Sequence, residues 1–281
     1  MSHERKVSII SDSSAAIPKE IAEEKEIEVI PAIINFGKKT FKDGVDIDSS
    51  KFLELLLSEK IHPTTSAPNP TEYAEIYRRF LPSKMISINL GGGFSSMHKN
   101  SISGAKSVDE RKITPYDSES VSMGTGFMAI KAADLRDKGK SREEILEELD
   151  VMKKRTFVVA TFNTMKYLAK GGRAAVIQQI FSALDLKPVL RIDSNKMNKI
   201  SFPRKREDGL AKVMEVTKKF APFEQVGVVY SGGKEDEEVA KEMVDEVRKI
   251  FKRDVYLGNI GAAVSTHAGP GAIATVFVCK K

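Results

Sequence analysis

The sequence is short of the residues that build covalent and metal-bound scaffolds. It contains a single cysteine, Cys279, which excludes an internal disulfide framework and favours a reducing, cytoplasmic location. Its four histidines, His3, His62, His98 and His267, are scattered, and it has neither a CxxC nor an HExxH motif. Because zinc sites need His and Cys ligands at characteristic spacings, the sequence predicts no metal centre.

Long apolar runs and aromatic-rich basic runs are also missing. No apolar run approaches the ~20 residues that span a bilayer, and residues 1–6 lack the apolar stretch of a secretory signal. The net charge is +6, but basic and acidic residues alternate, as in residues 234–238. A membrane-spanning, secreted or nucleic-acid-binding protein is therefore not expected. A modest attraction to acidic partners or anionic lipid surfaces stays open.

The sequence does contain a regular alternation of short apolar runs and amphipathic segments. Strands are predicted over residues 7–10, 27–34, 85–90 and 113–116, and helices over residues 17–21, 49–58 and 73–80. This order of strands and helices is typical of βα units and a parallel sheet. From Thr156 onwards a β-hairpin over residues 189–202 is mixed with further βα units, which predicts a mixed sheet. The fold class is therefore α/β.

Three segments that are predicted to lack regular structure are candidate parts of a ligand-binding site. Residues 266–272, Thr-His-Ala-Gly-Pro-Gly-Ala, predict a tight turn between two strands that presents His267. That histidine either meets a ligand or is hydrogen-bonded in an ordinary turn. Residues 62–68 hold two prolines and predict a loop. Gly91–Gly93 predict a turn whose backbone N–H groups suit the close approach of a ligand.

Two further segments stand where an anion could bind a helix N-terminus. Ser11–Ser14 links a strand to a predicted helix, and either anion binding or simple capping explains it. Arg173 lies just before a predicted helix. Its guanidinium could meet a carboxylate or phosphate, or it could bond nearby carbonyl groups.

Five motifs follow one another along the chain in a fixed order. They are Ser11-Asp12-Ser13-Ser14, Thr65-Ser66-Ala67-Pro68, Phe94-Ser95, Leu168-Ala169-Lys170-Gly171-Gly172-Arg173 and Thr266-His267-Ala268-Gly269-Pro270-Gly271. In order and spacing they resemble the DegV family of bacterial fatty-acid-binding proteins. The resemblance covers the chain from about residue 7 to its end.

The resemblance implies a two-domain α/β protein with the ligand between its domains. An N-terminal parallel-sheet domain would comprise residues 1–154, and a C-terminal mixed-sheet domain residues 155–281. The chain would bind a long-chain fatty acid in an apolar tunnel, as a carrier without catalytic residues or a cofactor of its own. Its head-group ligands would be Thr65, Ser95 and His267.

The resemblance also implies a partner. An ATP-dependent fatty acid kinase would phosphorylate the bound carboxylate, and the acyl phosphate would enter phospholipid synthesis. Arg173 would contact the head group or the kinase, and Arg204 would contact the kinase. The basic run Arg204-Lys205-Arg206 would suit an acidic partner face.

The chain departs from the family's pattern at three places. Asn89-Leu90-Gly91 replaces a usual Ser-Ser pair, Ser96-Met97-His98 replaces Gly-Thr-Tyr, and Tyr230-Ser231 stands where a His-Ala pair is common. These differences leave room for a changed head-group geometry, with His98 either a ligand contact or a surface residue.

Two other functions stay open on the sequence. Ser95 and His267 could combine with Asp12 or Asp117 in a serine hydrolase, or could serve phosphoryl transfer. Residues 93–97, however, keep only the first glycine of a GxSxG elbow. Alternatively, the chain is a regulatory or adaptor module whose lipid is only structural.

Overall fold

The computed structural model describes residues 7–59, 61–171 and 186–281. The strands are β1 Val7–Asp12, β2 Ile27–Ile30, β3 Ile33–Phe36, β4 Lys39–Lys42, β5 Thr64–Ser66, β6 Lys84–Asn89, β7 Ile113–Asp117, β8 Thr156–Thr161, β9 Val189–Asp193, β10 Lys196–Ser201, β11 Phe223–Tyr230, β12 Tyr256–Asn259 and β13 Ile273–Cys279. The helices are α1 Lys19–Glu24, α2 Ser49–Ser58, α3 Pro70–Arg79, α4 Met97–Lys106, α5 Met123–Asp137, α6 Arg142–Lys153, α7 Lys166–Lys170, α8 Arg206–Lys219, α9 Lys234–Phe251 and α10 Gly261–Ala268. A short 3₁₀ helix covers Ser13–Ala15.

Two large sheets form the frame of the molecule. The first has the order β2-β1-β6-β7, and all its neighbouring strands are parallel. The second has the order β10-β9-β8-β13-β11-β12, in which β11 and β12 are parallel and the other neighbours are antiparallel. The predicted α/β class, with a parallel sheet followed by a mixed sheet, is confirmed.

A third, three-stranded antiparallel sheet corrects two of the predictions. The predicted strand over residues 27–34 is broken at Pro31 into β2 and β3, which belong to different sheets. The predicted loop over residues 62–68 contains β5, which pairs with β3 so that Thr65 lies opposite Ile34. The two prolines of this segment flank the three residues of β5, so they do not prevent the pairing.

The sequence analysis did not predict two of the helices. Eleven of the fifteen residues of α5 are buried, so its polar face is narrow and gives only a weak amphipathic pattern. The other, α4, begins at Met97 and packs against α3. Side-chain caps mark the starts of two other helices. Asp48 accepts a hydrogen bond from the backbone N–H of Lys51 at the start of α2, and Ser141 with Glu144 forms a capping box at the start of α6.

The predicted turn at residues 266–272 is in part a helix. His267 lies in the last turn of α10, and the chain turns after it at Gly269 and Gly271, whose φ angles are +73° and +82°. Small residues such as Ala262 and Ala263 allow α10 to pack deep in the protein, and both are buried. The turn prediction was therefore correct for the glycines and wrong for the histidine.

The largest apolar cluster is shared by both parts of the chain. It contains Ile9 and Ile88 of the parallel sheet, Phe127 of α5, and Leu190 and Val276 of the mixed sheet. The segment that joins α6 to β8 consists of residues 154 and 155. The domain boundary after residue 154 stays a prediction.

Replacement of Gly104 by alanine tests the close packing of α4 on α3. The added methyl group would lie 2.7 Å from Cβ of Tyr73 and 2.9 Å from the carbonyl oxygen of Pro70. We expect the free energy of unfolding to fall by about 1–3 kcal/mol, although alanine is the better helix former. Urea denaturation measures the change. Ser103→Ala, on the exposed face of the same helix, is the control, and an unchanged midpoint for Gly104→Ala would contradict the packing.

Candidate ligand-binding site

A cavity of about 350 Å³ lies between segments from both parts of the chain. Its apolar wall includes Phe94, Val121, Phe162, Leu168, Ile192 and Met197. Its polar wall includes Ser14, Thr65, Ser66, Ser95, Ser96 and His267. Such a combination of an apolar body and a few convergent polar groups is typical of small-molecule sites.

The three predicted head-group residues line this one cavity. Oγ1 of Thr65, on β5, lies 2.7 Å from Nε2 of His267, at the end of α10. The other ring nitrogen, Nδ1, packs against Gly171, where an added Cβ would overlap the imidazole. Ser95 lies between the glycine turn and α4, and its Oγ accepts a hydrogen bond of 3.2 Å from the backbone N–H of Met97. Their role as carboxylate ligands stays a prediction.

The predicted arginines lie elsewhere. Arg173 falls outside the described residues. Arg204 is exposed and is not among the residues that line the cavity. Within the basic run, Arg206 is half-buried and forms an ion pair with Asp236. Arg204 and Lys205 are the exposed residues of this run.

The glycine turn is occupied by protein groups. The backbone N–H of Gly91 bonds the carbonyl of Ser120 at 2.9 Å, and the N–H of Gly92 bonds Oδ1 of Asp117 at 3.1 Å. The N–H of Gly93 bonds Oδ1 of Asn195 at 3.0 Å. The prediction that these N–H groups receive a ligand is therefore wrong. The hydrogen bond between Gly93 and Asn195 joins residues 102 positions apart, so no local sequence pattern could indicate it.

The aspartates that could complete a triad have other partners. Oδ2 of Asp12 accepts from the backbone N–H of Leu90, and its Oδ1 accepts from the N–H and hydroxyl of Ser14. Asp12 thus caps the 3₁₀ helix. Of the two interpretations of Ser11–Ser14, anion binding and capping, the structure shows capping. The oxygens of Asp117 accept from Gly92, Glu119 and Asn195. Since Nε2 of His267 meets Thr65, the described residues form no Ser–His–Asp chain.

His98 does not contribute to the cavity. It lies half-buried on α4 and is not among the lining residues. Burial is the main cause that lowers its pKa, with Asp117 opposing and Lys153 adding to the effect. The lining residues that sequence reasoning missed are chiefly Ile192 and Met197 of the β9–β10 hairpin, whose apolar alternation was the available signal.

The comparison with known proteins assigns the chain to a family. A family model described as "Uncharacterised protein, DegV family" matches residues 6–280. The chain belongs to the DegV family. It is 30% identical to Protein DegV of Bacillus subtilis (strain 168) over 282 residues, which cover 98% of this chain and 99% of that protein. It is also 30% identical to the DegV domain-containing protein TTE1491 of Caldanaerobacter subterraneus subsp. tengcongensis over 280 residues, or 97% and 98% of the two chains.

Solved DegV structures share the fold. The crystal structure of DegV from Bacillus subtilis, described as a fatty acid binding protein, superposes with a TM-score of 0.88 at 30% identity, covering 98% of this chain and 100% of that chain. A DegV family protein from Thermus thermophilus, described under fatty acid binding, reaches the same TM-score at 22% identity and the same coverage. The predicted DegV family and α/β architecture are confirmed.

Over residues 7–59, 61–171 and 186–281, no helix has both the length and the apolar character to cross a membrane. In the same ranges no three His, Cys, Asp or Glu side chains are grouped as ligands of a metal ion.

The buried carboxyl group beside the cavity predicts a pH dependence. Burial raises the pKa of Asp12 from its ordinary 3.8 to about 6, against hydrogen bonds from Ser14 and Leu90 that lower it. The folded state therefore binds this proton more tightly than the unfolded chain does. The stability that the group contributes is present below pH ~4 and is lost, by roughly 3 kcal/mol, as the pH rises through about 6.

A ¹³C NMR titration of the aspartate and glutamate carboxyl groups measures this pKa directly. We expect a midpoint near pH 6 for Asp12 that disappears in Asp12→Asn. Glu144 is the internal control, because its bonds to Lys140 and Ser141 hold its pKa at about 2. A midpoint near pH 4 for Asp12 would contradict the effect of burial.

Proposed function

We propose that this DegV-family chain binds one long-chain fatty acid in the cavity described above and presents its carboxylate to a fatty acid kinase. The observation that carries the proposal is the convergence of Thr65, Ser95 and His267 on the polar wall of a cavity whose remaining lining is largely apolar. The description of Bacillus subtilis DegV as a fatty acid binding protein, at 30% identity, supports it.

The tail would supply most of the binding free energy. Each buried methylene contributes ~0.8 kcal/mol, so a tail of about 16 carbons gains roughly 13 kcal/mol before the costs of association. Apolar side chains such as Phe94, Phe162, Leu168 and Met197 offer the surface for this burial. Methionine adapts its shape readily, which suits a ligand with many conformations.

The carboxylate needs hydrogen-bond donors, because a buried charge without them is costly. We assign the hydroxyls of Ser95 and Thr65 as its direct donors. The imidazole of His267 takes part through its bond to Thr65, because an Nε2–H that donates to Oγ1 of Thr65 leaves the threonine hydroxyl free to donate to the carboxylate. Two hydroxyls and an imidazole bind the anion without burying a permanently charged side chain. With donors but no triad, the site would hold the acid unchanged, which favours a carrier over a hydrolase.

The second part of the proposal is an acidic docking face on the kinase. Arg204 and Lys205 are exposed just before α8, and Arg206 is already paired with Asp236. We assign the kinase contact to Arg204 and Lys205. The assignment of Arg173 to the head group or to the kinase stays a prediction from the family motif.

Mass spectrometry of a solvent extract from the purified protein tests the ligand. We expect about one free fatty acid per chain. In Thr65→Val and Ser95→Ala, retention should weaken about 10- to 100-fold, because each loses a hydrogen bond to a charged group, worth ~1.5–3 kcal/mol. The matched control is Thr64→Val, an exposed neighbour on the same strand. A wild-type protein that stays empty after incubation with mixed fatty acids would contradict the proposal, and ester turnover abolished in Ser95→Ala would favour a hydrolase.

A reconstituted kinase reaction tests presentation. With a bacterial ATP-dependent fatty acid kinase and the fatty-acid-loaded protein, we expect acyl phosphate to form. Arg204→Ala should raise the KM for the loaded carrier severalfold while fatty acid retention stays normal. Lys199→Ala, on the exposed face of β10, is the charge-matched control. A loaded protein that supports no acyl phosphate formation would favour the regulatory module with a structural lipid.

A further inference from the structure

The tip of the β9–β10 hairpin reaches across to the first part of the chain. Its two tip residues, Ser194 and Asn195, have φ angles of +48° and +61°, the left-handed conformation that two-residue hairpin turns favour. This turn places the half-buried Asn195 beside the glycine turn and the end of β7.

Both polar atoms of the Asn195 side-chain amide form hydrogen bonds in this contact. Its Oδ1 accepts from the backbone N–H of Gly93 at 3.0 Å, and its Nδ2 donates to Oδ2 of Asp117 at 2.9 Å. Its own backbone N–H donates to the carbonyl of Glu119 at 3.1 Å. Oδ1 of Asp117 in turn accepts from the N–H of Gly92, so the network also holds the next residue of the glycine turn.

Gly91 and Gly93 lie too close to Asn195 to accommodate a larger residue. A Cβ at position 91 would lie 2.5 Å from Oδ1 of Asn195, and a Cβ at position 93 would overlap the carbonyl oxygen of Asn195. The unusual Gly91-Gly92-Gly93 segment of this chain therefore makes room for the hairpin tip.

The contact joins two segments that line the cavity. Phe94 and Ser95, which follow Gly93 directly, are lining residues. Ile192 and Met197, which flank the hairpin tip, are lining residues as well. Asn195 therefore ties together two pieces of cavity wall that come from different parts of the chain.

We propose that Asn195 is a positioning residue that latches the hairpin to the glycine turn and thereby sets how fast the bound ligand leaves. This inference rests on the proposed function for its ligand, a fatty acid. Opening of the latch would let the wall with Phe94 and Ser95 separate from the wall with Ile192 and Met197. The cavity would then open without movement of the Thr65–His267 pair.

A charge swap separates this role from a merely structural one. In Asn195→Asp, two carboxylates at positions 195 and 117 face each other, so we expect fatty acid release to accelerate at least about tenfold. The double variant Asp117→Asn/Asn195→Asp restores one amide and one carboxylate with reversed places. The amide oxygen at 117 can still accept from Gly92, its NH₂ group can donate to the carboxylate at 195, and that carboxylate can accept from Gly93. We therefore expect the double variant to return to within about threefold of the wild-type release rate.

Release of a fluorescent long-chain fatty acid to excess lipid vesicles gives these rates for the full chain, with Lys196→Ala, exposed beside the tip, as the control. Hydrogen exchange of the Gly93 amide follows the latch independently of any ligand. It should speed up in Asn195→Asp and slow again in the double variant. Single-variant release at the wild-type rate, or no recovery in the double variant, overturns the latch. A wild-type chain that binds no fatty acid contradicts the proposed function, while the exchange of Gly93 still decides whether the latch exists.

Discussion

The polar end of the cavity depends on one hydrogen bond between side chains that are 202 positions apart in the sequence, Thr65 and His267. It joins the small β4-β3-β5 sheet to α10 and so connects the two parts of the chain at the site. The helix that carries the imidazole, α10, is fixed at both of its ends. Asp43 accepts a hydrogen bond from the backbone N–H of Ala262 at the start of α10, and Gly269 turns the chain sharply after its end. The geometry of the site therefore follows from how these segments pack, more than from any local motif.

The parts of the fold that the sequence predicts are those with a strong local cause. Continuous apolar runs indicated the buried parallel strands, and amphipathic segments indicated helices such as α2 and α3. The elements that the sequence does not predict depend on tertiary structure. In α5, eleven of fifteen residues are buried, so its amphipathic period is too weak to detect. The strand β5 exists because β3 offers an edge, and the helical state of His267 depends on a buried space that only small residues fill.

The candidate site divides in the same way. Thr65, Ser95 and His267 were identified because they belong to motifs that resemble a known family, and the fold brings them to one cavity. Most of the apolar wall was not identified, since the residues that line an apolar cavity have no chemistry that distinguishes them from ordinary core. The glycine turn was assigned to a ligand because its partner, Asn195, lies about a hundred residues further along the chain. A pattern within a few residues cannot report such a pairing.

The elements that carry Thr65 and His267 differ in how firmly they are packed. His267 lies on α10, which packs into the core. Thr65 belongs to the three-residue strand β5, whose other two residues, Thr64 and Ser66, are exposed. Local opening of a protein begins where few buried contacts must be broken. We therefore expect the threonine side to fluctuate open at a free-energy cost well below that of global unfolding. Under the proposed function, the acid end of a bound lipid would then be exposed intermittently while its tail stays enclosed, which is the order of events that a carrier needs when another protein must reach only the head group.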